Sequence, residues 1–326
     1  MSTVRDFLAR HFLHFNSREV VAAARAWEAH LADGGKMMIT LAGAMSTARI
    51  GGLLTQLIHA GKVHAVTCTG ANLEEDVFAL FAYDQYENID NWRALTAADE
   101  TALLERGMNR VTDMCIPETV MRDIERPLTE AWQEAAATGE PLFPHEFLWK
   151  VLGTPGIEER FALPRDQSWV LACKETGTPI YTPGWEDSTT GNMFASAVFQ
   201  GRVASHGAVR SGTEQMEALM RWYLANCGKD DGRPSVGFFQ IGGGIAGDFP
   251  ICAVPALIQD CELEDTPFWG YFCQISDATT SYGGYSGAVP NEKITWGKLE
   301  EDTPKFMIQS DATIVAPLIF AWLLGG

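Results

Sequence analysis

The sequence predicts an α/β fold: a Rossmann-like, open and mostly parallel sheet with helices on both faces, in a single domain over residues 1–326. Two observations predict this class. The first 80 residues alternate short strand-like runs with helical apolar stripes, and the alternation returns in the second half of the chain. The run 63–68 is also rich in β-branched and apolar residues, which is typical of a parallel strand buried on both faces.

The individual elements follow from apolar periodicity and turn residues. Asn16 and Glu19 form a capping-box-like start, and Gly34 with Gly35 ends the helix that follows. The predicted strands are 36–41, 63–68, 179–182, 235–241, 268–275 and a last strand ending at 310. The predicted helices are 16–31, one ending near 60, one beginning at 73, 192–198, 214–226, 250–259 and 313–324. We interpret the polar, Trp- and Pro-rich residues 84–165 as a helical insertion, with helices at 97–110 and 127–137.

The composition indicates a globular protein with a large core, because 46% of the residues are hydrophobic and 20% are charged. The formal net charge of −18 argues against binding to nucleic acid or to an anionic membrane. An acidic protein attracts cations, and polyamines are a cationic substrate class. Many soluble proteins are acidic, so the charge is compatible with such a substrate without establishing it.

The seven cysteines are scattered and form no C-x-x-C pair, which indicates neither a zinc ribbon nor a disulfide framework. We therefore expect no metal site and a reducing, cytoplasmic environment. Residues 1–16 lack the apolar core of a signal peptide. The apolar stretch 313–324 contains Pro317 and is too short to span a bilayer.

A glycine-rich turn is the first segment that could carry chemistry. Residues 242–247 have the G-x-G-x-x-G spacing between a predicted strand and a predicted helix. Such glycines let backbone N–H groups approach a pyrophosphate, although a structural tight turn accounts for them equally well. Pro250 suits the first turn of the following helix. Because no βαβ unit of the usual kind is predicted at the N-terminus, a standard Rossmann dehydrogenase is disfavoured.

A second segment, 69–76, follows the predicted strand 63–68 and carries Thr69, Glu74 and Glu75. Loops at the carboxyl ends of parallel strands point into the ligand crevice of such a sheet. One of the carboxylates at 74–76 could grip ribose hydroxyls, or all of them could simply complement a helix dipole.

A third segment, 290–298, ends in Thr295-Trp296-Gly297-Lys298 and follows the Gly-, Ser- and Tyr-rich loop 281–287. A single lysine is ordinarily a solvated surface residue. A lysine beside a tryptophan in a dry pocket can instead attack carbonyls or imines. Such a loop is typical of the wall of an active site.

These three segments, in this order, resemble deoxyhypusine synthase. That family is marked by a T-G-A-N-L-type element followed by acidic residues, by a triple glycine and by a [ST]-W-G-K segment. The resemblance extends from about residue 34 to the C-terminus and is weakest between 84 and 165. It implies NAD as the cofactor and a homotetramer with active sites between paired subunits.

The resemblance also implies roles for individual residues. Lys298 would form a covalent imine, Trp296 would pack against the aliphatic chain of the substrate, and Glu292 would hold an ammonium end. The residues implied to line the NAD site are Thr69, Glu74, Glu75, Asp187, Gly242, Gly243, Gly244 and Asp311.

The chain departs from the family pattern at three positions. Asn192 and Tyr285 stand where the family has acidic residues, and Asp248 stands where it has a catalytic histidine. We expect Asp248 to take over the proton transfer, and Asn192, Tyr285 and Ser286 to contact the substrate. The lysine and the cofactor site are thus retained, while groups that contact the polyamine have changed.

The sequence therefore predicts an NAD-dependent transferase that moves an aminobutyl group from spermidine or a related polyamine through an imine on Lys298. The acceptor is predicted to be putrescine, which gives homospermidine, or a protein lysine, which gives deoxyhypusine; agmatine is a further candidate. Two alternatives remain: an NAD-binding protein with lost activity, and a polyamine or agmatine dehydrogenase without covalent transfer.

Overall fold

The computed structural model describes residues 3–280 and 283–325, and the α/β class predicted from the sequence is confirmed. The strands are β1 Met37–Leu41, β2 Ala65–Cys68, β3 Glu87–Asn88, β4 Met108–Val111, β5 Met114–Pro117, β6 Ile180–Tyr181, β7 Gly237–Ile241, β8 Tyr271–Ser276 and β9 Lys305–Gln309. The helices are α1 Val4–His11, α2 Phe15–Ala32, α3 Gly51–His59, α4 Gly70–Ala82, α5 Ala97–Glu105, α6 Glu118–Thr138, α7 Pro144–Leu152, α8 Trp169–Thr176, α9 Thr189–Phe199, α10 Gly212–Asn226, α11 Ile245–Ile251, α12 Ala253–Pro255 and α13 Ala312–Leu324.

The main sheet has six strands in the order β6-β2-β1-β7-β8-β9, and every neighbouring pair is parallel. The chain first builds outward from β1 through β2 to β6, then returns to the other side of β1 with β7. This reversal between β1 and β7 is the topological switch point at which open α/β sheets bind ligands. The segment β1-α3-β2 is a parallel βαβ unit, so the expectation that the N-terminus lacks one is wrong.

Two hydrophobic cores lie on opposite faces of the sheet because successive strand residues point in opposite directions. Met38, Phe238 and Phe272 face one core, which also contains Tyr223 of α10. Phe239 faces the other core, to which α2, α3 and α13 contribute. The predicted covering of both faces by helices is thereby confirmed.

The first long helix begins one residue before its predicted cap. His14 is the N-cap of α2 and makes no side-chain cap hydrogen bond. The side chain of Asn16 donates to the carbonyl of Gln309 at 2.9 Å and accepts from its N–H at 3.3 Å. Asn16 therefore ties α2 to β9 instead of capping the helix.

Residues 84–165 contain strands as well as helices. The predicted helix 97–110 ends at Glu105, because Gly107 adopts a left-handed backbone with φ +68°. The chain then forms β4, which pairs with β5 in a three-stranded antiparallel sheet of order β3-β5-β4. The predicted helix 127–137 is the second half of the longer helix α6, which contains Pro127.

Within the two described ranges, none of the helices combines the length and the apolar composition needed to cross a membrane.

Candidate active site

The loops that leave the carboxyl edge of the main sheet carry most of the predicted site residues. Because its six strands are parallel, their carboxyl ends share one edge. The residues that follow these ends are Thr69 after β2, Asp187 after β6, Gly242–Gly244 after β7, Tyr285 and Ser286 after β8, and Asp311 after β9. The topology thus gathers segments that are distant in sequence.

The triple glycine lies at the switch point, where close packing at Gly242 and Gly243 and the backbone conformation of Gly244 exclude side chains. Gly242 has φ +74°, and a Cβ added there would lie 2.8 Å from the Cβ of Ala42 in the loop after β1. A Cβ on Gly243 would overlap the side chain of Ser286. Gly244 has φ +62° and ψ −157° and is the N-cap of α11, a conformation that essentially only glycine adopts.

Two buried glutamines that the sequence analysis missed hold this turn in place. The amides of Gln240 and Gln274 donate to the carbonyl of Gly242 at 3.1 and 3.2 Å. Gln274 also donates to the carbonyl of Ser286 at 3.1 Å, which joins the loop after β8 to the turn. An amide side chain inside an otherwise apolar strand is the sequence signal that could have identified them.

The helix after the glycines differs from its prediction. Helix α11 begins at Ile245, so Pro250 lies inside it and not in its first turn. The chain continues through α12 into a π-helical turn, Ala256–Asp260. This earlier start places Asp248 in the first turn of α11.

The segment at 69–76 supports the loop after β1. Helix α4 begins at Gly70, three residues before its predicted start, and Thr69 caps it by accepting from the Asn72 N–H at 3.1 Å. Thr69 also donates to the carbonyl of Gly43 at 2.7 Å. Asn72 accepts from the N–H of Ser46 at 2.8 Å. These contacts bind the loops after β1 and β2 together.

The two glutamates of this segment have different surroundings. The carboxylate of Glu74 accepts from the N–H groups of Thr189 and Thr190 at 2.9 and 2.7 Å, and so anchors the start of α9. Burial raises its pKa, and these hydrogen bonds oppose the rise. Glu75 accepts from the hydroxyl of Thr47, and burial raises the pKa of Glu75 to about 7. Glu75 therefore faces the loop after β1.

The remaining predicted cofactor residues are exposed. Asp187 lies in the turn before α9, where its N–H donates to the carbonyl of Gly184 at 2.9 Å. Asp311 is the N-cap of α13 and accepts from the N–H of Thr313 at 2.7 Å. Asp311 and Thr47 both line a groove of about 790 Å³. This groove joins the ends of β1 and β9.

A separate cavity of about 430 Å³ brings together most of the predicted catalytic and substrate residues. Its lining includes Lys298, Asp248, Glu292, Trp296 and Tyr285. Asn192 lines another cavity, of about 230 Å³, in the same chain. The side chain of Ser286 packs against Gly243, and its backbone carbonyl accepts from the amide of Gln274, while Ser281 and Tyr282 of its loop lie outside the described residues.

Lys298 is buried at this cavity with one carboxylate beside it. Its residue is 6% exposed, and its Nζ lies 3.4 Å from Oδ1 of Asp248. The Nζ is also 5.4 Å from the ring centroid of Tyr285 and 5.9 Å from that of Trp296. Because Trp296 is itself 64% exposed, it does not keep the lysine dry within a single chain, contrary to expectation. Tyr285, which is largely buried, covers the amine on the inner side.

The T-W-G-K segment owes its shape to a glycine turn. The short 3₁₀ helix Pro290–Ile294 is followed by Gly297, whose φ of +66° is left-handed. The N–H of Gly297 donates to the carbonyl of Ile294 at 3.0 Å, and that of Lys298 to the carbonyl of Lys293 at 3.1 Å. This is the hydrogen-bond pattern of a Schellman motif. It explains why glycine precedes the lysine.

Lys293 is a second lysine of this cavity that the sequence analysis did not identify. It is 2% exposed, and burial lowers the pKa of Lys293 to about 8. Its side chain lies beside Tyr285, with Nζ 5.1 Å from the ring centroid. Sequence alone gave no signal, because residue 293 lies in an irregular segment where a lysine is ordinarily solvated.

Comparisons with known proteins agree with this geometry. A family model described as deoxyhypusine synthase matches residues 9–323, so the chain belongs to the deoxyhypusine synthase family. Among its curated relatives, a deoxyhypusine synthase-like protein of Cyanothece sp. is 26% identical over 99% of this chain and 79% of the relative. A deoxyhypusine synthase-like protein of Nostoc punctiforme is 28% identical over 98% of this chain and 80% of the relative. The resemblance seen in the sequence is confirmed and begins earlier than residue 34.

The fold also matches a solved structure. A crystal structure of an Entamoeba histolytica protein assigned as a deoxyhypusine synthase superposes with a TM-score of 0.59 at 12% identity. The match covers 98% of this chain and 92% of that chain. At this identity the likeness shows a shared fold.

Proposed function

We propose that this protein is an NAD-dependent transferase that moves an aminobutyl group from spermidine or a related polyamine to an acceptor amine. The observation that carries the proposal is the buried amine of Lys298, 3.4 Å from Asp248 at a cavity of about 430 Å³. The chain's membership of the deoxyhypusine synthase family supports this class of reaction. An NAD-binding protein without catalysis would have no use for such an amine.

The cofactor proposal rests on the glycine turn at the switch point. Gly244 is exposed and has open space where a side chain would stand, at the point where dinucleotides bind in open sheets. Glu75 and Asp311 are the carboxylates best placed to accept from ribose hydroxyls, while Thr69 and Glu74 hold the surrounding loops. Asp187, in the loop after β6, completes the proposed set. When bound, NAD would accept a hydride from the carbon beside the secondary amine of the substrate and later return it.

The protein's own part in the transfer centres on Lys298. Its free amine adds to the carbon of the oxidised substrate, and 1,3-diaminopropane leaves, so the aminobutyl group stays on Lys298 as an imine. The acceptor amine then adds to the same carbon and expels Lys298, which leaves the aminobutyl group on the acceptor as an imine; the reduced cofactor, when bound, would supply the hydride that converts this imine to an amine. Asp248, the carboxylate nearest to Nζ, holds the proton that Lys298 gives up and takes back. Glu292 holds the far ammonium group.

We propose putrescine as the acceptor, giving homospermidine, with a protein lysine as the second candidate. The changed polyamine contacts at Asn192, Asp248 and Tyr285 favour a small amine. So does the size of the cavity, since about 430 Å³ suits one small ligand. Agmatine stays a candidate donor or acceptor.

We also propose a homotetramer with active sites between paired subunits, acting in the cytoplasm. Four apolar side chains stand exposed in segments that follow the carboxyl ends of β7, β8 and β9. They are Ile245 at 51%, Val289 at 44%, Trp296 at 64% and Ile314 at 62% exposure. A partner subunit over this edge would cover them and close the cavity around Trp296. Sedimentation of the purified protein tests the assembly.

The variant Lys298→Ala tests the assigned nucleophile. We expect it to lose transfer from spermidine to putrescine by at least about a thousandfold, because the covalent path is removed. Its affinity for NAD should stay close to that of the unmodified protein. Products are identified by mass, and NAD binding by calorimetry.

The matched control is Lys150→Ala, which removes an exposed lysine of α7 paired with Glu134. It should transfer normally. Transfer by Lys298→Ala at the normal rate would refute the assignment of Lys298 as the nucleophile. Formation of NADH without transfer would instead indicate a dehydrogenase, and NAD binding without either reaction a pure binding protein.

A further inference from the structure

Lys293 is a second lysine at the cavity of Lys298, and its amine is buried among aromatic rings. Its Nζ lies 4.8 Å from the ring centroid of Phe272 and 5.1 Å from that of Tyr285. In the part of the chain that the structure describes, this Nζ has no hydrogen-bond partner and is sealed from water. A buried, unpaired ammonium group destabilises a fold. An apolar side chain would fit better, so the amine serves something other than packing.

The two lysines are fixed relative to each other by one turn and one ring. The N–H of Lys298 donates to the carbonyl of Lys293. The Nζ atoms lie 5.1 and 5.4 Å from the centroid of the same Tyr285 ring. Among the described residues, the carboxylate of Asp248 lies beside the amine of Lys298, and no carboxylate pairs with the amine of Lys293. Lys293 therefore places a positive charge near the amine of Lys298, and no described carboxylate neutralises that charge.

The charged groups around Lys293 come from three elements. Burial is the largest influence on its pKa, and the positive charge of Lys298 lowers that pKa further. Glu292 of the same turn and Asp248 of α11 act in the opposite direction. On β9, the amine of Lys305 is engaged by the backbone carbonyls of residues 300, 301 and 303. With a pKa of about 8, Lys293 keeps most of its charge at pH 7.

We propose that Lys293 is a positioning residue for the lysine chemistry of this site. Its sealed amine, held on the same ring as Lys298, repels the proton of Lys298 and so increases the fraction of free, nucleophilic amine at neutral pH. This inference rests on the proposed function, in which that free amine attacks the substrate.

The variant Lys293→Met tests the inference, because methionine keeps an unbranched stem and removes the charge. The neutral fraction of Lys298 is measured in the complete protein as its rate of acetylation by acetic anhydride across a pH range, followed by peptide mass spectrometry. We expect roughly tenfold slower acetylation of Lys298 at pH 7, where Lys293 carries its charge, and the rate of the unmodified protein at pH 10, where Lys293 is neutral. The conservative Lys293→Arg should restore the original rate at pH 7, and the distant Lys150→Met should not change it.

A reciprocal measurement keeps the test decisive if Lys293→Met does not fold. In Lys298→Met, the titration of Lys293, followed by NMR of ¹³C-labelled lysine, should move to higher pH by about one pH unit, because the repulsion is mutual. An unchanged acetylation rate at pH 7 in a folded Lys293→Met, or an unmoved titration of Lys293 in a folded Lys298→Met, overturns the inference. Acetylation needs no turnover, so slower acetylation without any transfer product would uphold the role of Lys293 and refute the transferase.

Discussion

At the scale of single residues, the site depends on side chains placed where their charge is poorly solvated. Lys298 is buried beside Asp248, and Lys293 is buried with no partner among the residues described. The resemblance to the deoxyhypusine synthase family predicted Lys298, Asp248, Glu292, Trp296 and Tyr285 as site residues, and the structure gathers them around one cavity. It could not predict Lys293, because burial within an irregular loop leaves no periodic pattern in the sequence.

Glu75, at the proposed cofactor site, allows the burial of its carboxylate to be tested. Burial raises its pKa from an ordinary 4.5 to about 7, opposed by the hydroxyl of Thr47 and reinforced by the charge of Glu74. The folded state then binds a proton that the unfolded state has already lost between about pH 4.5 and 7, so stability falls as pH rises through this window. The penalty for the ionised form persists above pH 7.

The variant Glu75→Gln should therefore be about 3 kcal/mol more stable than the unmodified protein at pH 8, and equal to it near pH 4. Urea unfolding at both pH values measures the difference. Glu130→Gln, which alters an exposed residue of α6, is the control and should show no such pH dependence. Equal stabilities of Glu75→Gln and the unmodified protein at pH 8 would contradict the burial of this carboxylate.

At the scale of elements, the turns that follow the strands position the residues of the candidate site. Most strands of the main sheet were predicted to within about two residues, because β-branched apolar runs identify buried parallel strands. The strands of the small sheet were missed. They are short and partly exposed, as in β4, so they lack a period that sequence can reveal. The start of the first long helix was predicted wrongly, because the side chain of Asn16 hydrogen-bonds the backbone of β9 and does not cap the helix.

Gly297 tests the turn that presents Lys298. Alanine at φ +66° is strained, although its Cβ has room 3.4 Å from the side chain of Gln259. We expect Gly297→Ala to lower the free energy of unfolding by about 1 kcal/mol and to reduce transfer more than tenfold, because the turn no longer orients the lysine. Gly297→Asn should retain more of both, since asparagine tolerates the left-handed region. Equal activity of the alanine variant would show that the turn does not position Lys298.

At the scale of the whole molecule, strand order creates the site. Composition and periodicity predicted a parallel sheet, but not the order β6-β2-β1-β7-β8-β9, which depends on how distant strands pair. This order brings the glycine turn after β7 against the loop after β1. It also leaves the long connection between β8 and β9 free to form the wall that carries both lysines. The proposed tetramer would complete that wall from a second subunit.

The most direct measurement of the central claim is the mass of the peptide that contains Lys298. The purified protein is incubated with NAD and with spermidine deuterated in its aminobutyl half, and borohydride is added to reduce any imine. We predict a deuterated aminobutyl group on Lys298 that is absent when NAD is omitted and is discharged by prior addition of putrescine. Formation of transfer product with no label on that peptide would contradict the covalent mechanism.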